Sequence, residues 1–172
     1  MLPFENSIEG MVNQSLDNLI ENNLKICSEL ELPVVHCLIS SEKNLNKLNT
    51  IYGHPQALAQ CRNWLSKNLP RAKIVETESS AKAAQLIKNK SGKGSIGPKQ
   101  ISEIYSLNLL KEKIQDQITN TTRFLVIGNE FPGKTSDDKT SISLSLKNEQ
   151  GALLKVLQIV NKNKINLTNI LS

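Results

Sequence analysis

TIYGHPQALAQCRNWLSKNLPRAKIVET, Thr50 to Thr77, is the stretch whose reading decides the fold class. Thr50-Ile51-Tyr52 reads as a short strand that stops at Gly53. Pro55, with its φ already set and no N–H to lose, suits the first turn of a helix predicted over Gln56 to Lys67. Lys73 to Thr77 is a second strand. The alternation continues on both sides. Ser79 or Ser80 can cap a helix through Lys90, and Ser91-Gly92-Lys93-Gly94 is a turn before the short strand Ser95-Ile96-Gly97. Pro98 opens a helix to about Tyr105, Leu109-Leu110 begins a strand, and Phe124 to Gly128 is a buried one. Upstream, Val12, Leu16, Leu19 and Ile20 keep helical spacing within Met11 to Asn22. Leu24 to Ser40 reads as one or two strands with an edge or a bend at Pro33. Strand and helix alternating in this way predict an α/β architecture with a substantially parallel sheet.

Beyond Gly128 the pattern breaks. Asn129 to Asp138, with Pro132, Gly133 and Ser136, reads as a linker. Thr140, Ile142, Leu144 and Leu146 then alternate with polar residues as in a half-buried strand. A helix starts at Gly151 with Leu153, Leu154, Val156, Leu157 and Val160 on or near one face, and another strand begins at Ile165. Two strands and one helix are too few to bury both faces of a sheet. That shortage predicts marginal stability for the chain alone.

The 172 residues carry 38% hydrophobic side chains, enough for a core, but only 3% aromatic, so aliphatic residues must build it. The net charge is +5, yet the 21 Lys and Arg are scattered and hardly interleaved with aromatics. That excludes a built nucleic-acid surface and leaves a solvated basic face or a mild pull on small anions. No apolar run is long enough to span a bilayer. Cys27, Cys37 and Cys61 form no CxxC pair, which with the lack of a signal peptide suggests a reducing, cytoplasmic setting. His36 and His54, the only histidines, lie apart in sequence and suggest no metal site. Gly92 to Lys99 lacks the Gly-Lys-Ser/Thr order of a phosphate loop, and Pro98 removes a backbone donor.

Three polar clusters stand at strand ends: Glu5-Asn6-Ser7; Gly53-His54-Pro55-Gln56 with Gln60; and Thr121-Thr122-Arg123. Each reads equally as caps and turns or as part of a site, because ligands of α/β sheets gather where strand ends meet helix N-termini. Neutral donors with one arginine fork would suit a small anion.

The same residues carry a resemblance. Pro3-Phe4-Glu5-Asn6-Ser7, Val35-His36-Cys37-Leu38, Tyr52-Gly53-His54-Pro55-Gln56, Glu78-Ser79-Ser80-Ala81 and Thr122-Arg123-Phe124 resemble, in order and spacing, the motifs of prephenate dehydratases. Gly151-Ala152-Leu153 and Ile165 to Thr168 resemble the opening of an ACT regulatory domain. The resemblance implies a two-lobed, periplasmic-binding-protein-like α/β catalytic domain over 1–128, lacking the family's N-terminal segment. A linker over 129–138 and a partial ferredoxin-like α+β ACT domain over 139–172 would follow. It also implies decarboxylative dehydration of prephenate to phenylpyruvate in phenylalanine biosynthesis. No cofactor or metal is implied; L-phenylalanine would be the allosteric effector, and the full-length protein a homo-oligomer in the cytoplasm, or in a plastid for a plant-type source. By the same resemblance Thr122 would donate to the leaving hydroxyl, and Asn6, Ser7, Gln60 and His54 would bind substrate. Arg123 would hold a carboxylate or brace the lobe. Gly53 stands where the family has serine, and Leu171 where the E-S-R-P motif would begin with glutamate. An arogenate dehydratase and a ligand-binding protein without catalysis are the alternative readings.

Overall fold

A computed structural model describes residues 1–22, 24–129, 133–136 and 138–170. The chain begins with β1 (Leu2–Asn6), β2 (Gly10–Met11), α1 (Asn13–Glu21), β3 (Lys25–Pro33) and β4 (Cys37–Ser40). Next come β5 (Thr50–Gly53), α2 (Pro55–Gln60), α3 (Arg62–Asn68), β6 (Lys73–Glu76) and α4 (Ser80–Ile87). The order ends with β7 (Lys93–Gly97), α5 (Gln100–Ile104), β8 (Asn108–Lys111), β9 (Thr121–Gly128) and α6 (Ala152–Lys162). Contacts divide the chain into two units, Met1–Pro132 and Gly133–Ser172.

Two sheets organise the first unit. One, ordered β2-β1-β9-β3, is antiparallel throughout. The other, ordered β6-β5-β7-β4-β8, is mixed: β5 runs parallel to β6 and β7, whereas β4 is antiparallel to β7 and β8. The expected substantially parallel sheet is therefore corrected. The stretch 50–97 does follow right through as parallel strands joined by helices, but β4 enters from the other sheet across only Val34, Val35 and His36. No crossover helix dictates its sense. The chain returns between the sheets once more, over 112–120.

The larger core belongs to the mixed sheet. Leu38, Ile51, Ile96 and Ile114 have no accessible surface and pack with Leu58, Cys61 and Leu65 from α2 and α3. The central strands β4 and β7 are buried along nearly their whole length, with α4 packed against both, whereas the edge strand β6 stays largely exposed. The antiparallel sheet is thinner: Phe4 and Leu125 are its buried apolar residues, and Leu30 and Leu32 of β3 stay exposed.

Three local expectations change. The helix predicted over 56–67 breaks at Cys61 into α2 and α3. Thr121, Thr122 and Arg123 lie inside β9 rather than before it. In the second unit, the strands expected at 140–146 and from 165 do not form among the described residues, and α6 is the one regular element there. Gly151, at φ 82°, supplies the left-handed turn that starts α6. The linker expected over 129–138 lies partly outside the described residues, as does Leu171.

Candidate active site

Backbone geometry brings at least one residue of each of the three polar clusters to one place. β5 ends at Gly53, and His54 Nδ1 then accepts the N–H of Gln56, capping α2. Gln56 and Gln60, four apart, share one face of that helix. On the other sheet, β1 ends at Asn6, which pairs across the ladder with Thr122 of β9. Asn6 Oδ1 accepts the N–H groups of Ile8 and Glu9 at 3.0 and 3.1 Å, closing the turn into β2. Its amide nitrogen therefore points the other way. It donates to Thr122 Oγ1 at 3.0 Å and to Asn120 Oδ1 at 2.8 Å.

Asn6, Thr122, His54 and Gln60 line a cavity of about 430 Å³. The crossing residue His36 and the helix-start residues Ser79 and Ser80 complete it. Ser79 Oγ accepts the N–H of Lys82 at 3.1 Å, so α4 opens onto the cavity with its first turn capped. A second cavity of about 500 Å³ adjoins it, sharing Gln56 and Gln60 and including Glu9.

Ser7 and Arg123 are placed elsewhere. Ser7 Oγ accepts the N–H of Thr121 at 3.0 Å and donates to the Thr119 carbonyl, so it pins the start of β9. Arg123, one residue past Thr122, takes the opposite face of the strand. Its guanidinium meets Glu5 at 3.1 Å and Glu29 at 3.9 Å, and lies 5.1 Å from the Phe4 ring centroid. Neither residue lines the cavity. No lysine or arginine does among the described residues, and Glu78 contributes a carboxylate. An anion held here would rely on neutral donors and the partial positive charge at the starts of α2 and α4.

His36, Glu9 and Asn120 belong to the site although sequence reading did not choose them. His36 Nε2 lies 2.9 Å from Gln60 Oε1, and Asn120 Nδ2 donates to the same oxygen at 3.0 Å. Gln60 Nε2 donates to Glu9 Oε1 at 3.0 Å, and Gln56 donates to the other Glu9 oxygen. Asn120 opens the NTTRF stretch and Glu9 closes ENSIE, so proximity to the chosen motifs was the available signal. Cys61 is fully buried, and burial with the nearby Asp116 charge pushes its thiol up to about 12. It is no nucleophile at neutral pH. Among the described residues no group of three or more His, Cys, Asp and Glu could hold a metal ion.

A family model, prephenate dehydratase, matches residues 1–132, the whole of the first structural unit. The chain belongs to the prephenate dehydratase family. It is 42% identical over 170 residues to the bifunctional chorismate mutase/prephenate dehydratase of Aquifex aeolicus, covering 99% of this chain and 47% of that protein. The prephenate dehydratase of Methanocaldococcus jannaschii is 41% identical over 176 residues, with 99% of this chain and 63% of that protein covered. Among solved structures, the prephenate dehydratase of Arthrobacter aurescens in complex with L-Phe matches with a TM-score of 0.79 at 28% identity. That match covers 99% of this chain and 59% of the other. The chain thus spans about half to two thirds of the length of these relatives. The two sheets joined by two crossings agree with the two-lobed, periplasmic-binding-protein-like fold of prephenate dehydratases. Among the described residues no helix is long and apolar enough to cross a membrane.

Proposed function

We propose that this chain carries the decarboxylative dehydration of prephenate to phenylpyruvate, in phenylalanine synthesis. The observation that supports it is the convergence of Asn6, His54, Gln60 and Thr122 on one cavity. In the reaction the ring carboxylate leaves as carbon dioxide, its electron pair enters the ring, and the C4–oxygen bond breaks. The departing hydroxide takes a proton and leaves as water, while aromatisation supplies the driving force. No covalent nucleophile is required; the site must orient the ring and stabilise charge growing on the departing oxygen. Thr122 is the donor to that oxygen. Asn6, His54 and Gln60 orient the substrate. Ser7 and Arg123 act through the backbone and the lobe rather than on the substrate, consistent with their partners.

Residues 1–128 form the catalytic domain in this reading, 129–138 the linker and 139–172 the start of an ACT domain; the division of the chain after Pro132 supports it. L-phenylalanine is then the effector, in line with the ligand of the Arthrobacter relative, and the full-length protein is a homo-oligomer. A cytoplasmic setting fits three cysteines in the thiol form.

The test is turnover by the purified chain, followed as phenylpyruvate absorbance in alkali, with prephenate and arogenate assayed in parallel. A rate above the spontaneous one with prephenate is expected. Thr122→Val should lower kcat by about 10²- to 10³-fold with little change in KM, the loss typical of one transition-state donor. Preference for arogenate would reassign the substrate. No rate with either would leave this chain a ligand-binding protein.

A further inference from the structure

The amides around the cavity form a closed circuit in which every hydrogen bond runs the same way. Glu9 N–H donates to Asn6 Oδ1 at 3.1 Å. Asn6 Nδ2 donates to Asn120 Oδ1 at 2.8 Å, and Asn120 Nδ2 to Gln60 Oε1 at 3.0 Å. Gln60 Nε2 donates back to the Glu9 carboxylate at 3.0 Å. The direction is over-determined. A carboxylate only accepts, so it fixes which end of Gln60 it meets; two backbone N–H groups independently fix Asn6. Asn120, fully buried between them, has no choice left. Gln60 Oε1 also faces His36 Nε2 at 2.9 Å, so that nitrogen must carry the proton.

One branch of the circuit ends on Thr122. The other hydrogen of the Asn6 amide points to Thr122 Oγ1 at 3.0 Å, with the Thr121 carbonyl a longer contact at 3.3 Å. With its oxygen occupied as an acceptor, the threonine must aim its own hydrogen elsewhere. Among the described residues no acceptor takes it, and Thr122 lines the cavity. Hydrogen bonds running in one direction polarise one another, and a chain ending on a carboxylate does so most. Reversing one amide would turn Asn6 or its neighbours against themselves and free the threonine to accept rather than donate.

We propose that Glu9 and Asn120 are positioning residues that, through this one-way circuit, hold the Thr122 hydroxyl as a hydrogen-bond donor to the substrate. The proposal rests on the role given to Thr122 above. Glu9 reaches its partners without touching Thr122, and its exposed position lets it be changed without disturbing the core.

Two measurements test it. In the first, the side-chain amide signals of Asn6, Asn120 and Gln60 are followed by ¹⁵N–¹H NMR in the chain itself. Glu9→Gln, which removes the charge and the fixed polarity, should shift all three pairs and speed their exchange. A change confined to Gln56 and Gln60 overturns the circuit, with or without activity. In the second, Glu9→Gln should lower kcat about tenfold with KM within about twofold, as for loss of one aligned hydrogen bond, and Glu9→Asp should restore part of it. Asn120→Asp should act alike, and the exposed Glu9 variants keep the test decisive where the buried Asp impairs folding. In a Thr122→Val background, Glu9→Gln should have no further effect on kcat. If Thr122→Val lowers kcat and Glu9→Gln multiplies the loss, the circuit is wrong and the role of Thr122 stands. If Thr122→Val leaves kcat unchanged, the role of Thr122 falls and with it the proposed consequence of the circuit.

Discussion

Thr122 and Arg123 are neighbours with opposite duties, and the two-residue period of a strand is the reason. Thr122 faces the cleft; Arg123 turns to Glu5, Glu29 and the Phe4 ring on the other side. Its guanidinium is about one fifth exposed and lies between two partly covered carboxylates, so removing it leaves two like charges facing each other. Arg123→Met should therefore cost about 1–2 kcal/mol in a urea melt while KM for prephenate stays within about twofold. A tenfold rise in KM with unchanged stability would put Arg123 back on the substrate. The sequence left Arg123 open between substrate and lobe, and with the strand read as starting only at Phe124 its two-residue period could not be applied to the pair; which of them faces the ligand depends on the partner sheet. Gly53 is the converse case. Its place in a site motif was legible, yet its packing was not: a Cβ there would stand 3.0 Å from Leu58 Cγ. Gly53→Ser, which adds the hydroxyl usual in the family, should destabilise by about 1 kcal/mol by crowding Leu58.

At the scale of elements, the break between α2 and α3 shows why local sequence was insufficient. Nothing in QALAQCRNWL stops a helix. The stop comes from Asp116, far along the chain, whose carboxylate accepts the N–H groups of Asn63 at 2.9 Å and Trp64 at 3.0 Å. It caps the second helix as a local N-cap would, and Cys61 at the junction is driven into the core. Apart from that break, the order of strands and helix starts from β5 to β7 was legible, because its caps and turn glycines are local, although α4 ends three residues sooner and β7 starts two residues earlier than read. The buried junction has a pH signature. The Cys61 thiol titrates near 12 in the folded chain, against 9.0 for an ordinary thiol, because burial and Asp116 oppose the thiolate. A raised folded pKa means the folded state holds its proton longer. The stability this supplies is complete below about pH 9 and is lost as pH rises toward 12. Denaturant midpoints should fall across that window, and less steeply in Cys61→Ala once its lower neutral stability is subtracted. Iodoacetamide at neutral pH should modify Cys27, which is half-buried, and reach Cys37 and Cys61 only in denaturant.

For the molecule as a whole, the two units differ in what holds them. The mixed sheet of the first unit closes over Ile51, Leu38 and Ile96, all without accessible surface. In the second unit the alternation of Ile142, Leu144 and Leu146 is plain in the sequence, yet among the described residues no ladder forms on it. Alternation says which face a strand would bury; it does not provide a partner, and an unpaired extended segment gains no ladder bonds to offset its ordering. Ile142 accordingly remains 72% exposed and Ile165 57%. Stability should therefore be graded along the chain. Amide exchange followed by mass spectrometry should label residues 140–147 and 165–170 within the shortest exposure. The α6 helix should follow: it buries no residue, and among the described residues an exposed ion pair of Lys155 with Glu149 and a few backbone bonds to flanking residues add to its own ladder. The amides of β5 and β7 should exchange last, through global unfolding. The chain shortened to residues 1–132 should keep that slowest class and its urea midpoint, because among the described residues no buried apolar residue of the core lies beyond it. Loss of protection in β5 and β7 on shortening would mean instead that the second unit supports the first.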